Sequence, residues 1–252
     1  MNLENIGLSV AKVINENNKT EKIISVEDDK EKVSNYFEEY KCLKGETMQQ
    51  IPVKQRQRDV LFISGASGSG KSTFSRFYIE QYHKMYKKRP VYVFSYFQED
   101  PSLDSLKYLK RIPLDSKFVS TSLELEDFKQ SLCLFDDIDC VRSKPIRDKL
   151  LNILHSLLEL ARHVECTVLY LSHLSTKGHE TRTILNECGS CTIFPKNMNS
   201  RAFKYLLESY FGMDKHQIKR IKQLKSRAVT IVKTYPNIVI YSGGCYVLKC
   251  DD

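Results

Sequence analysis

The 252-residue chain has 41% hydrophobic and 28% charged residues, which is the composition of an ordinary globular protein. It has no apolar run of about 18 residues, so we predict no membrane span. Residues 1–5 lack the basic and apolar stretches of a signal peptide, so we do not expect secretion. The eight cysteines are too sparse for a disulfide framework and predict reduced thiols. The 39 basic and 31 acidic side chains give a net charge of +8, which favours an anionic partner.

The segment 1–55 is polar and weakly patterned, and we predict that it forms an N-terminal extension. Within it, 7–14 and 22–26 alternate between apolar and polar residues, which predicts a hairpin turning at 15–18. The charged segment 27–39 predicts a helix or a linker. We assign the remainder, 56–252, to a single second domain.

Apolar runs that alternate with helical stretches predict the fold of this second domain. The runs suited to buried strands are 60–64, 90–95, 132–135, 167–171 and 191–194, with helical spacing over 71–88 and 146–163. Strands joined through helices are typical of an α/β fold with a mostly parallel sheet flanked by helices. The tail, at 228–232, 238–241 and 246–248, predicts antiparallel strands added at the sheet edge.

A complete G-x-x-x-x-G-K-S phosphate loop follows the first of these strands and opens the helical stretch after it. Its glycines let successive backbone N–H groups point at an anion, and the start of the helix adds a positive dipole end. The sequence therefore predicts an ATP site in which the lysine reaches the β- and γ-phosphates and the serine hydroxyl binds Mg²⁺. The predicted nucleotide-binding residues are Gly65, Ala66, Ser67, Gly68, Ser69, Gly70, Lys71, Ser72 and Thr73.

Two acids follow the apolar run Leu132–Phe135, and a carboxylate at such a strand end is suited to hold magnesium near a phosphate loop. We predict that Asp136 binds Mg²⁺ together with Ser72, and that Asp137 polarises the attacking water. The run 167–171 also ends in polar residues, and we predict that His173 senses the γ-phosphate. The alternative for His173 is a solvent-facing histidine without a catalytic role.

Basic side chains are concentrated between positions 196 and 227. The stretch contains nine lysines and arginines and two acidic residues, so it carries nearly the whole net charge of the chain. Such a cluster is typical of contact with a nucleic-acid backbone. A solvated surface without a ligand is the alternative.

Beyond these motifs, the chain from Asp59 onward resembles the genome-packaging ATPases of large nucleocytoplasmic DNA viruses, in the FtsK–HerA superfamily of DNA-pumping motors. The segments that carry the resemblance are VYVFS at 91–95, EDPSLD at 99–104, LFDDID at 134–139, LSHL at 171–174, TRTILNE at 181–187, FPK at 194–196 and KTYP at 233–236. Two positions depart from the superfamily pattern, which usually has Glu where this chain has Asp137 and Gln where it has His173.

The resemblance implies a RecA-like P-loop core, ATP hydrolysis with Mg²⁺, and movement of double-stranded DNA into a capsid. It also implies a homo-oligomeric ring, a capsid or portal-like viral protein as partner, and a location in the host cytoplasm, at the viral factory, or in the virion. A ring motor needs an arginine that reaches the neighbouring subunit's γ-phosphate. Arg182 is our preferred candidate, with Arg201 and Arg227 as alternatives.

Two other functions are compatible with the phosphate loop. A small-molecule or nucleotide kinase shares the loop, but the adjacent acids Asp136 and Asp137 and the basic stretch favour the motor. A slowly hydrolysing, nucleotide-gated assembly switch is the third hypothesis, and it is favoured by the shorter acid at position 137.

Overall fold

The computed structural model describes residues 1–27, 29–160, 162–173 and 179–248. Its strands are β1 (Leu8–Asn15), β2 (Glu21–Val26), β3 (Glu39–Lys41), β4 (Glu46–Gln50), β5 (Val60–Ser64), β6 (Val91–Ser95), β7 (Leu109–Ile112), β8 (Leu132–Asp136), β9 (Thr167–Ser172), β10 (Ser190–Ile193), β11 (Val229–Val232), β12 (Ile238–Tyr241) and β13 (Gly244–Val247). Its helices are α1 (Lys71–Met85), α2 (Ser116–Ser120), α3 (Lys144–Glu159), α4 (His179–Glu187), α5 (Ser200–Phe211) and α6 (Lys215–Gln223).

The chain divides into two compact units. Residues 57–188 form one, which we call the P-loop unit, and residues 1–56 with the chain from Gly189 onward form the other, the terminal unit. This division differs from the predicted domains 1–55 and 56–252, because the C-terminal strands group with the N-terminal segment.

The P-loop unit contains five parallel strands in the order β5-β9-β8-β6-β7. Every residue of β5, β8 and β9 is buried, as expected for strands covered on both faces. Parallel strands present their carboxyl ends along one edge, so the loops after β5, β8 and β9 lie together there. The predicted α/β fold with a mostly parallel sheet flanked by helices is confirmed.

The terminal unit is antiparallel. Strands β10, β11, β12, β13 and β3 pair successively, and β2, β1 and β4 form a smaller sheet. The predicted C-terminal antiparallel strands and the predicted N-terminal hairpin are therefore both present. The segment 27–39, predicted as a helix or a linker, is the linker: its described residues contain a 3-10 turn at Lys30–Lys32 and, at the end, the start of β3.

One hydrophobic core joins the two ends of the chain within the terminal unit. Val10, Ala11 and Ile24 from the first hairpin pack in the same cluster as Ile240 and Cys245 from β12 and β13. The N-terminal segment is thus part of a core and not an appendage to it. Among the described residues, no helix is long and apolar enough to cross a membrane.

Candidate nucleotide site

The phosphate loop lies between β5 and α1, at the carboxyl edge of the parallel sheet. Gly68 and Gly70 have φ values of 71° and 108°, a left-handed conformation that favours glycine. The Gly65 N–H donates to the Ser172 carbonyl at 3.1 Å, which ties the start of the loop to β9. Ala66 and Ser67 are exposed, so the loop is open to a ligand.

Lys71 is buried at the first position of α1, yet its ammonium group points back over the loop. Its Nζ donates to the carbonyl oxygens of Gly65 at 2.9 Å and Ala66 at 3.3 Å. Burial lowers the pKa of Lys71, and the charges of Asp137 and Asp136 oppose that effect. A buried cation held by loop carbonyls, beside a helix N-terminus, fits the phosphate groups of a nucleotide.

His173 connects Lys71 to Asp137. Its Nδ1 lies 3.3 Å from Lys71 Nζ, and its Nε2 lies 2.5 Å from Asp137 Oδ1. An ammonium group can only donate, so Nδ1 is the acceptor in the contact with Lys71. The backbone of Asp137 has φ 50°, and this left-handed turn follows directly after β8. Three predicted site residues therefore form one contact chain.

Asp136 ends β8 and is buried, with 5% of its surface exposed. Its pKa is raised to about 7, chiefly by burial and then by the neighbouring charges of Asp137 and Asp100, while Lys71 and Arg111 act in the opposite direction. A buried carboxylate among acids is a costly arrangement that a bound cation relieves. Asp136 therefore fits the predicted magnesium ligand. The influence of Asp100 and Arg111 was not predicted from the sequence.

The remaining predicted residues take different places around this site. Ser72 and Thr73 lie in the first turn of α1, half-buried and exposed respectively, so the Ser72 hydroxyl is available for a cation. Arg182 lies on α4 with its side chain exposed. The described contacts of Lys71, His173 and Asp137 do not include Arg182. Within one chain, Arg182 is thus not a member of this contact chain.

The basic stretch belongs to the terminal unit and spans α5 and α6. All nine of its lysines and arginines are exposed. On α6, Ile218 and Ile221 are buried, whereas Lys215, Lys219 and Lys222 recur at helical spacing on the exposed side. The basic residues of the stretch are Lys196, Arg201, Lys204, Lys215, Lys219, Arg220, Lys222, Lys225 and Arg227.

Arg220 differs from the other basic residues of α6. Its guanidinium lies 3.1 Å from Glu39 Oε1 and 3.6 Å from the ring centroid of Tyr246. These contacts bind α6 to β3 and β13 within the terminal unit. Arg220 therefore has a structural role that the sequence did not reveal.

No protein-family model matches the sequence. The chain is 39% identical over 193 residues to protein V3 of Sputnik virophage, a match that covers 76% of this chain and 78% of V3. The chain belongs to the family of this virophage protein. The aligned residues make up about three quarters of each chain and therefore most of the fold described above.

Solved structures resemble the chain at much lower identity. EssC (ATPases 2 and 3) from Geobacillus thermodenitrificans matches with a TM-score of 0.54 and 12% identity, over 100% of this chain and 47% of EssC. The pCW3 conjugation coupling protein TcpA, in its monomer form with ATPγS, matches with a TM-score of 0.50 and 15% identity, over 98% of this chain and 78% of TcpA. The genome-packaging NTPase B204 from Sulfolobus turreted icosahedral virus 2, in complex with ATPγS, matches with a TM-score of 0.49 and 14% identity, over 71% and 93%.

These neighbours bear on the fold. The predicted RecA-like P-loop core is confirmed, and the predicted resemblance is confirmed as a likeness of fold to these solved structures. The family of V3 therefore has a P-loop NTPase fold with added antiparallel strands.

Proposed function

We propose that this chain is a Mg²⁺-dependent ATP hydrolase that moves double-stranded DNA into a viral capsid. The observation that carries the proposal is the contact chain from Lys71 through His173 to Asp137, built on a complete phosphate loop beside the buried Asp136. A hydrolase needs a cation for the phosphates, a carboxylate for the metal and an acid for water, and this edge of the sheet supplies all three.

Each residue has a separate role in the proposed reaction. Lys71 leaves the loop carbonyls and binds the β- and γ-phosphates, while Ser72 and Asp136 hold the magnesium ion. When bound, Mg²⁺ neutralises charge that develops on the phosphates. Asp137 orients the attacking water. His173 contacts both Lys71 and Asp137. A change at Lys71, which binds the phosphates, is therefore passed on to Asp137, which orients the water.

The exposed basic side of α6, together with Arg201 and Lys204 on α5 and Lys225 and Arg227 after α6, supports DNA as the polymer that is moved. Phosphate contacts from such a surface are independent of sequence, which suits a protein that must process a whole genome. The relationship to a virophage protein is consistent with a viral partner at the capsid, and with action in the host cytoplasm or the virion.

We further propose that the protein works as a ring, with Arg182 acting on the nucleotide of the neighbouring subunit. Its exposure on α4 leaves it available to a second copy of the chain. An arginine supplied in this way stabilises charge in the transition state and contributes about 10³–10⁵ in rate. The Arg182→Ala protein should therefore bind ATP normally and hydrolyse it poorly.

A mixing experiment tests this trans-acting role. Rings assembled from Arg182→Ala and Asp137→Asn subunits contain some interfaces with both groups intact, so they should recover hydrolysis that neither variant shows alone. Recovery with Arg201 or Arg227 variants in place of Arg182 would assign the role to those residues. Normal hydrolysis by all three arginine variants would refute a trans-acting arginine.

The function itself is tested by measuring ATP hydrolysis with and without duplex DNA. The parent protein should hydrolyse ATP in the presence of Mg²⁺, and duplex DNA should stimulate it. Lys71→Ala is the control for the site, because it removes the charge that holds the phosphates and should abolish tight ATP binding. Phosphoryl transfer to a small-molecule acceptor would favour a kinase, and slow hydrolysis indifferent to DNA would favour a nucleotide-gated switch.

A further inference from the structure

Helix α5 exposes an aromatic residue in the middle of the basic stretch. Tyr205 has 51% of its surface exposed, whereas Phe203, Leu206 and Leu207 on the same helix are buried. Its ring packs edge to face against the ring of Tyr210, with the two centroids 6.3 Å apart. Tyr210 steadies the Tyr205 ring but leaves much of the residue open to solvent. Tyr205 is therefore accessible to a ligand of this surface.

Tyr205 shares this surface with three basic side chains. Arg201 precedes it by four residues, so the two lie on one face of α5, and Lys204 is its exposed neighbour in the chain. From α6, Lys222 Nζ donates to Ser200 Oγ at 2.9 Å, which brings a third cation to the start of α5. The basic sides of α5 and α6 are therefore continuous, and Tyr205 lies within the surface that they form.

The charge of this surface favours a polyanion as its ligand. Nine basic side chains stand against two acidic ones between 196 and 227, and one of the acids, Glu208, lies 3.5 Å from Lys204 Nζ. Cations alone are enough to bind phosphates, whereas an exposed aromatic ring adds affinity for the flat faces of nucleobases. In a duplex those faces are stacked on one another. A ring on this surface can therefore stack only where the bases are unpaired.

We propose that the basic surface of α5 and α6 binds unpaired DNA as well as duplex DNA, and that Tyr205 stacks on a base of the unpaired strand. The inference rests on the proposed function and names the form of DNA that binds most tightly, a duplex with a single-stranded overhang. The basic side chains hold the phosphates of both forms, whereas Tyr205 distinguishes them. Since unpaired bases occur at the ends of a duplex, this preference directs the protein to a DNA end.

The chain contains no tryptophan, which allows a direct test of the stacking contact. Tyr205→Trp places a single indole at the proposed contact, and a base stacked on that indole quenches its fluorescence. A duplex with an oligothymidine overhang should quench the fluorescence strongly, and a blunt duplex of the same sequence should quench it weakly. Tyr96→Trp is the matched control, because Tyr96 is similarly exposed, at 46%, but lies in the P-loop unit. Its fluorescence should respond to neither DNA.

Binding affinity separates stacking from charge. Tyr205→Ser should bind the overhang DNA about 5- to 150-fold more weakly, the contribution of one stacked base, and should bind the blunt duplex as the parent does. Tyr205→Phe should bind both DNAs as the parent does, because it keeps the ring. Equal affinity of the parent for both DNAs, an unquenched Tyr205→Trp, or an equal loss for both DNAs in Tyr205→Ser would overturn the inference alone. A parent protein that binds neither DNA would overturn the role of DNA in the proposed function too.

Discussion

At the scale of single residues, His173 lies at the centre of the contact chain in the candidate site. Its ring nitrogens contact two different charged groups, Lys71 and Asp137. A ring that accepts from Lys71 and contacts Asp137 can transmit a change at either residue to the other. The sequence predicts a γ-phosphate sensor at His173, and the structure adds its two contacts, Lys71 and Asp137.

Replacing His173 tests whether this link matters for turnover. His173→Ala should reduce kcat by at least about tenfold while the Kd for ATP changes by only a few-fold, because the acid loses its link to Lys71 but the phosphate loop remains. His173→Gln should retain more activity, since an amide also offers a donor and an acceptor. Single-turnover hydrolysis and nucleotide titration separate the two effects.

His163 provides the control for this substitution. It is an exposed histidine outside the site, so His163→Ala should leave both constants unchanged. Parent-like turnover in His173→Ala would show that the contact chain has no part in hydrolysis.

The phosphate loop could be predicted from the sequence because its residues form one contiguous motif. Asp100 and Arg111 could not. They act on the pKa of Asp136 because β6 lies beside β8 and β7 lies beside β6, and such pairings between distant strands leave no motif in the sequence. The left-handed backbone of Asp137 is likewise a property of the turn that follows β8.

At the scale of elements, α6 separates two kinds of basic residue. Lys215, Lys219 and Lys222 lie on its exposed side, whereas Arg220 is engaged by Glu39 and Tyr246. The net charge of the sequence does not distinguish Arg220 from these three lysines. Arg220 is therefore less available to DNA phosphates than the three lysines, of which Lys222 also donates to Ser200 Oγ at 2.9 Å.

Salt dependence of DNA binding distinguishes these residues. Changing Lys215, Lys219 and Lys222 together to Ala should weaken binding to all duplex sequences and reduce the slope of log K against log salt by about 2.7, at about 0.9 per phosphate contact. The affinity is measured by fluorescence anisotropy between low and physiological salt. Changing Lys107, Lys117 and Lys129 to Ala removes the same charge from exposed positions of the P-loop unit and should leave the slope unchanged. An unchanged slope in the α6 variant would identify this surface as merely solvated.

Strand β4 was not predicted from the sequence, and the reason is physical. Strand β4 buries Glu46 and Gln50 beside Met48, so polar residues occupy its inward positions and hide the alternation. Glu46 is accommodated there by Lys22 at 3.2 Å and by the Tyr40 hydroxyl at 3.1 Å. The buried strands β5, β8 and β9 could be predicted because each is a continuous apolar run that is visible in the sequence alone.

At the scale of the whole molecule, the first and last parts of the chain share one core. Ile24 on β2 is fully buried and belongs to the same cluster as Ile240 on β12, near the other end of the chain. The sequence predicts an extension at 1–55, because no contiguous motif indicates that the first and last strands share a core.

Ile24→Ala tests whether this shared core stabilises the C-terminal strands. It should destabilise the terminal unit by about 2–5 kcal/mol, the usual cost of a cavity at a fully buried isoleucine. Amide hydrogen exchange should therefore accelerate in β12 and β13 as well as in β2. The neighbouring Ile23 is only partly buried, so Ile23→Ala is the matched control and should have a smaller effect. Unchanged exchange in β12 would mean that the N-terminal segment is an appendage.

The interruption of the terminal unit at Arg56 has a consequence for biosynthesis. A ribosome completes all of residues 57–188 before it makes β10 to β13, so the P-loop unit can fold while the first hairpin still lacks the strands that cover its apolar face. That face stays exposed until translation is nearly finished. The nascent chain is therefore most open to aggregation, and most dependent on chaperones, during the synthesis of its middle section.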